Sequence, residues 1–258
     1  MSQALRVDVT AYLDRIGLPR PATPDDDSLR ALSWAHQAAV PFENLSIHLG
    51  EPISLDPADL FDKVVRRRRG GFCYELNGLF ALLLADLGHA VDRVASRVHR
   101  GEGRFGPLFD HLALIVDGRW VVDVGFGRHS SYPLRLDSRD EQVDPGGRFR
   151  VIEADGGDLD IYRDGEPQYR IERRPRDLLD FEPACWWQQT WPGSHFRTGP
   201  VCSRLDGDDR ITLSGRRLIR GSGGASTETV LDSDEAVLAA YRTHFGIELD
   251  RVPEPPGS

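Results

Sequence analysis

One lysine (Lys63), one methionine and three cysteines (Cys73, Cys185, Cys202) are what this 258-residue chain has least of. Cysteines so far apart make no disulfide framework. Without CxxC spacing or paired histidines nearby they predict no structural zinc site, and a reducing cytoplasm is the expected compartment. Long apolar runs are also missing: Leu79 to Ala85 is the longest evident one, far below the roughly 18 residues of a membrane-spanning helix. The first twenty residues carry Arg6, Asp8, Asp14 and Arg15 and no apolar stretch, which predicts no secretory signal. Basic charge is in deficit, with 32 Lys and Arg against 41 Asp and Glu and a net charge of −9; a nucleic-acid partner would want a basic face instead. The scarcity of lysine beside abundant arginine matches a GC-rich genome and is assigned no chemistry.

What is present is ordinary for a water-soluble globular protein, 40% hydrophobic and 28% charged. At about 150 residues per domain the length suits one large domain or two to three small ones. The first ninety residues read as helices. Val9 to Ile16 has helical apolar spacing and is followed by Gly17, Pro19, Pro21 and Pro24. Asp25 to Ser28 caps a second helix through Leu29, Leu32 and Ala35 to Ala39, stopped by Pro41. Asp56 as N-cap and Pro57 at the first position start a third, through Leu60, Phe61, Val64 and Val65. A fourth begins near Cys73 and runs to about Leu87, with Leu76, Leu79, Phe80, Leu83, Leu84 and Leu87 on one face.

After Gly88 the period changes to about two. Val91 to Val98 reads as a strand. His111 to Val116 and Arg119 to Val124 read as a hairpin turning at Asp117-Gly118. Arg148 to Ile152, Leu159 to Arg163 and Tyr169 to Glu172 are further strand-like pieces, so the middle third predicts an antiparallel sheet or small barrel. The last third is mixed. It has a helix over Asp177 to Gln189 weakened by Pro183, a hairpin over Ile211 to Ile219 centred on Ser214-Gly215, and a final helix from Ala236 to Phe245 capped by Ser233-Asp234-Glu235. The tail from Pro253 to Ser258 is expected to fray. Cys185, Cys202 and the Trp186-Trp187 pair are expected to pack in the core. The whole predicts an α+β fold.

The sharpest local feature is Arg69-Gly70-Gly71-Phe72-Cys73-Tyr74-Glu75-Leu76-Asn77. Two glycines bring the chain to a helix start with Cys73 in the first turn. Free N–H groups and the positive end of the helix dipole there stabilise a thiolate. The alternative is a small buried core residue, the commoner fate of a free cysteine. A nucleophile needs a base, and the base an orienting group. His111 opens the first strand of the hairpin and Asp123 lies near the end of the second. Pairing symmetric about 117.5 sets residue 111 opposite 124 and next to 123. One imidazole nitrogen then meets Asp123 while the other faces Cys73. A carboxylate within Val121-Val122-Asp123-Val124-Gly125 needs such a partner, because an unpaired buried charge costs several kcal/mol.

These residues bring a family into view. The glycine–cysteine segment resembles the R-G-G-x-C-x-E-x-N signature of the arylamine N-acetyltransferases. Pro41-Phe42-Glu43-Asn44-Leu45 resembles its P-F-E-N-L segment, and His111-Leu112-Ala113-Leu114 the strand bearing its catalytic histidine. Val122-Asp123-Val124-Gly125-Phe126-Gly127 resembles its V-D-x-G-F-G segment. The four fall in the family's order between residues 41 and 127. Beyond about residue 150 only Trp191 to Phe196 and Tyr241 to Leu249 resemble family landmarks.

The resemblance implies a helical N-terminal domain carrying the nucleophile (1–88), an antiparallel β-barrel middle domain carrying the histidine and aspartate (89–190) and an α/β C-terminal lid (191–258). It implies a cysteine-protease-like triad of Cys73, His111 and Asp123, with acetyl-CoA as co-substrate, a small aromatic amine as acceptor, no tightly bound cofactor and no metal. Phe42 and Phe126 become candidates for stacking on the amine, and Gly127 for close approach of coenzyme A. Glu43 and Arg69 are expected to pair beneath the active-site loop. Arg66 to Arg69 read as a charge run, a solvated face, and the first three are not assigned to phosphate binding. Asp110, before the histidine, departs from the small or neutral residue of many members; lining the acceptor site, it would favour cationic amines and disfavour acidic arenes. The same triad also serves amide synthases that close macrolactams from a carrier-bound acyl chain, and cysteine hydrolases.

Overall fold

The computed structural model describes residues 7–222 and 225–256. Its first part is helical: α1 (Val9–Ile16), α2 (Asp26–Ala39), α3 (Leu45–Leu49), α4 (Pro57–Phe61) and α5 (Cys73–Leu87), with a two-residue strand, β1 (Phe42–Glu43), between α2 and α3. The caps follow the sequence. Asp8 accepts from Ala11 N–H at the start of α1, and Gly17 closes it in the left-handed region (φ +72°). Asp25 and Ser28 form a reciprocal box at α2, and Asp56 accepts from Ala58 N–H at α4 with Pro57 in the first turn. After Phe61 the α4 chain widens into a single broad turn over Asp62–Arg66 rather than continuing as regular helix. Among the described residues no helix is long and apolar enough to cross a membrane.

The middle part is a nearly closed antiparallel barrel of β2 (Val91–Val98), β3 (His111–Val116), β4 (Trp120–Val122), β5 (Leu134–Arg135), β6 (Gln142–Asp144), β7 (Gly147–Glu153), β8 (Leu159–Arg163) and β9 (Glu166–Arg176), in the order β5-β4-β3-β2-β9-β8-β7-β6. The two end strands meet through one side chain: the Gln142 amide accepts from Arg135 N–H at 2.6 Å and donates to Arg135 C=O at 3.0 Å. Every residue of β3 is buried. Leu112, Leu114 and Val116 face the helical core, whereas Ala113 and Ile115 face the barrel interior. That is why the strand shows no polar alternation. Its hairpin to β4 differs from the expected register. Leu114, Ile115 and Val116 pair with Val122, Val121 and Trp120, so the axis falls on Gly118 instead of 117.5. Asp117 and Gly118 both adopt positive φ and Arg119 joins the turn, leaving Asp123 just beyond the last pair.

The last part holds α6 (Glu182–Thr190), β10 (Val201–Asp206), β11 (Asp209–Ser214), β12 (Arg217–Ser222), β13 (Ala225–Val230) and α7 (Asp234–Ala240). Its sheet runs β1-β10-β11-β12-β13, so the Phe42-Glu43 strand from the helical part forms its edge. Pro183 sits in the first turn of α6, where it lacks no needed N–H, and a separate tight turn, Leu178–Phe181, precedes it. Leu178, Phe181 and Cys185 pack into the helical core, although they lie in the stretch assigned to the barrel. Cys202 packs between the last sheet and α7. Trp186 departs from expectation, being 65% exposed, while Trp187 stacks on Trp191 at 4.5 Å. The tail is not loose as far as it is described: Glu254 and His48 bond through their backbones and the His48 ring. Gly257 and Ser258, the end of the segment expected to fray, lie outside the described residues.

Candidate active site

The glycine–cysteine segment works as a tight entry to α5. A Cβ on Gly70 would collide with the Pro41 carbonyl oxygen, and one on Gly71 would stand 2.6 Å from Glu75 Oε2. Glu75 reaches back from the first turn to accept from Phe72 N–H at 3.2 Å, and Lys63 donates to its other oxygen at 2.6 Å. Arg69 donates to Glu43 Oε1 at 3.0 Å and to Glu51 Oε2 at 3.1 Å. The expected Glu43–Arg69 pair is therefore present and buried. Arg66 and Arg67 are exposed and form ion pairs with Asp62, a solvated face as expected, whereas Arg69 at the end of the run is buried.

Cys73 is 2% exposed yet lines the cavity. His111 Nε2 donates to Asp123 Oδ2 at 2.7 Å, and the imidazole also interacts with the Cys73 thiol. Asn77, one turn after Cys73, fixes the aspartate: its amide donates to Asp123 Oδ1 at 2.9 Å and to Leu112 C=O at 2.7 Å, and accepts from Val124 N–H at 2.9 Å. Gly125 N–H donates to the same Oδ1. A Cβ on Gly125 would lie 2.7 Å from Cys73 Cα and 2.8 Å from Asn77 Nδ2, so glycine lets the loop after β4 close on α5.

Burial pushes the Cys73 thiol up from its ordinary value; facing His111 and the Leu112 N–H oppose this. The helix start alone therefore does not produce a low-pKa thiol here. Burial would lower His111, but the charges of Asp123 and Cys73 outweigh it and push the imidazole up to about 10. Burial would raise Asp123, and its contact with His111 instead brings it down to about 2. The imidazole and the thiol titrate as one coupled pair that shares a proton; Asp123 favours that proton on the imidazole, which leaves the thiolate beside it.

Cys73 and His111 open on a cavity of about 800 Å³, with Asp123 buried behind the imidazole. Phe42 and Phe126 both line it, Phe126 edge-on to His111 at 5.1 Å. Asp110 also lines it, but its carboxylate is already engaged, accepting from Arg100 at 3.1 and 3.3 Å and from Gln188 at 2.8 Å. Gly127 packs against the Phe42 ring, 3.5 Å from where its Cβ would stand at φ +88°. Sequence reasoning missed the outer wall: Phe196, Pro200, Val201, Ser214 to Arg216 and Val252 to Pro255. It also gave Asn44 no role. The Asn44 amide donates to Phe196 C=O and Gly199 C=O at 2.9 Å each and accepts from Val201 N–H at 2.7 Å. The sequence signal for this was the fourth letter of the P-F-E-N-L segment.

A family model described as N-acetyltransferase matches residues 25–253. The chain is 38% identical to an arylamine N-acetyltransferase of Mycolicibacterium smegmatis, over 95% of this chain and 94% of that protein. It is 33% identical to the Salmonella typhimurium arylamine N-acetyltransferase / N-hydroxyarylamine O-acetyltransferase, over 94% and 89%. Among solved structures, the M. smegmatis arylamine N-acetyl transferase superposes with a TM-score of 0.88 at 38% identity, covering 96% of each chain. The Mycobacterium marinum arylamine N-acetyltransferase in complex with CoA gives 0.84 at 35% identity, covering 93% of each.

Proposed function

The chain belongs to the arylamine N-acetyltransferase family, and from that premise we propose that it moves the acetyl group of acetyl-CoA to an aromatic amine, arylhydroxylamine or hydrazine through an acetyl-Cys73 intermediate. One juxtaposition carries the reading. A cysteine at a helix start faces an imidazole whose far nitrogen is held by a carboxylate at 2.7 Å, at the floor of a cavity large enough for a flat ring and a thioester arm.

His111 takes the thiol proton, leaving a thiolate–imidazolium pair. The thiolate attacks the thioester carbonyl carbon, the carbon–sulfur bond to coenzyme A breaks, and the departing thiolate takes the proton from His111. The amine then attacks the acetyl carbon on Cys73. His111 accepts the amine's proton and the Cys73 thiolate is released for the next turn. Asp123 orients the ring and stabilises its charge. Phe42 and Phe126 supply the apolar faces for the amine, and Gly127 serves by leaving room for the Phe42 ring. Asp110 acts as half of a pair with Arg100, so the wall beside the acceptor presents a balanced charge; this tempers the selection against acidic arenes that a lone carboxylate would impose. The cytoplasm, where acetyl-CoA and a reduced thiol coexist, is the proposed site of action.

The test is intact-protein mass spectrometry after mixing with acetyl-CoA and no acceptor. Wild type should gain one acetyl group, lost again on adding an arylamine, and Cys73→Ala should gain none. An unmodified wild type that is acylated only from a carrier protein would overturn acetyl transfer in favour of macrolactam-type amide synthesis.

A further inference from the structure

A second cleft, of about 480 Å³, lies between the barrel and the last sheet and shares no lining residue with the reaction cavity. Three guanidinium groups line it: Arg128 from the loop after β4, Arg163 at the end of β8 and Arg210 in β11. Among the described residues Arg210 donates to neutral acceptors at long range, Ser203 Oγ at 3.3 Å and Gln37 Oε1 at 3.4 Å. Arg163 donates to Arg128 C=O at 3.3 Å. Its Nε stands 3.4 Å from Asp164 Oδ2 without a hydrogen bond of good geometry. Burial and the neighbouring guanidiniums Arg163 and Arg128 pull Arg210 down to about 10, as expected for like charges held together in a half-buried space.

Carboxylates stand nearby: Asp144 accepts from Ser131, Tyr132 and Gly146 N–H groups and Asp164 from Arg148 N–H, and both act on Arg163 to favour its charge. Asp208 and Asp209 also line the cleft. His129 and Ser131 complete the inner wall, and His129 Nε2 and Ser131 Oγ are both buried without a hydrogen-bond partner. Buried polar atoms normally find a partner, and guanidinium forks that converge on one space suit a tetrahedral dianion.

We propose that this cleft binds a small oxyanion, inorganic phosphate or a phosphate monoester, between Arg128, Arg163 and Arg210. It lies directly behind the reaction site: the His129 ring packs on Phe126 and Tyr169 at 5.3 Å each, and both of those rings touch His111.

The experiment is calorimetric titration of the full chain with inorganic phosphate and, separately, methyl phosphate, at ionic strength held constant with sodium chloride and repeated with saturating coenzyme A. Saturable binding is expected, unchanged by coenzyme A and weakened at least tenfold in Arg163→Gln and in Arg210→Gln. Arg128→Gln, altering an exposed side chain, should weaken it as well and guards against loss through misfolding, with circular dichroism confirming the fold. Binding of methyl phosphate alone would assign the site to a monoester. Absence of saturable binding by either probe, competition by coenzyme A, or equal affinity in Arg128→Gln would overturn the proposal.

Discussion

The floor and the outer wall of the reaction cavity are built in different ways. The floor comes from α5, β3 and the loop after β4, and its side chains hold one another: Asn77, His111 and Asp123 are joined by buried bonds of 2.7 to 2.9 Å. The outer wall is a set of turns, residues 195–201, 214–216 and 252–255, held largely through backbone groups by Asn44 and His48. A rigid floor sets the reacting atoms within bonding reach. A wall of turns defines shape, and can differ in shape without disturbing the chemistry beneath.

That contrast can be broken on purpose. On the floor, Asp123→Asn should lower kcat/KM by roughly 10⁴-fold, because a neutral amide neither stabilises the imidazolium nor holds the same tautomer; steady-state kinetics with a saturating arylamine checks this. Beneath the floor, Glu43→Gln strips charge compensation from buried Arg69 and should cost about 3 kcal/mol of stability, read by urea unfolding. At the wall, Asn44→Ala removes three backbone partners. It should raise the KM for acetyl-CoA by about tenfold, or about 1.4 kcal/mol, while the rate of Cys73 acetylation at saturation changes little, since part of the wall's net hydrogen-bond stabilisation is lost.

The gentlest perturbation is pH. His111 stands at about 10 in the folded protein against 6.5 for an ordinary imidazole. Its stabilisation is thus complete below about 6.5 and lost as pH rises through 10, and Cys73, also raised, acts in the same direction. Asp123, at about 2 against 3.8, stabilises above about 3.8 and ceases to as pH falls through 2. Urea midpoints should fall between pH 6.5 and 10 in wild type and fall less in Asp123→Asn.

Much of the floor was legible in the chain because its parts are local. The cap residues Asp8, Asp25, Asp56 and Ser233 each act within three residues, and the helix bearing Cys73 begins and ends where its glycines stand. The hairpin set Asp123, one residue past β4, beside His111 at the start of β3, though its register needed the positive φ of Asp117 and Gly118 and the inclusion of Arg119 in the turn. The wall was hidden because its contacts join residues far apart in sequence. Asn44 meets Gly199 and Val201 across more than 150 positions, and β1 is too short to signal a strand until β10 lies beside it. Trp186 was misjudged because its size predicts burial, whereas α6 turns that face to solvent.

The sequence by itself singled out Cys73, His111 and Asp123 as the proposed nucleophile, base and orienting carboxylate, since helix caps, glycine spacing and strand periodicity act over a few residues. Tertiary structure alone decided that Asn77 anchors Asp123, that Asp110 is matched by Arg100 and Gln188, and that three arginines from separate elements share one cleft. A charge's effect depends on what stands within a few ångströms of it, and only the folded chain sets those distances.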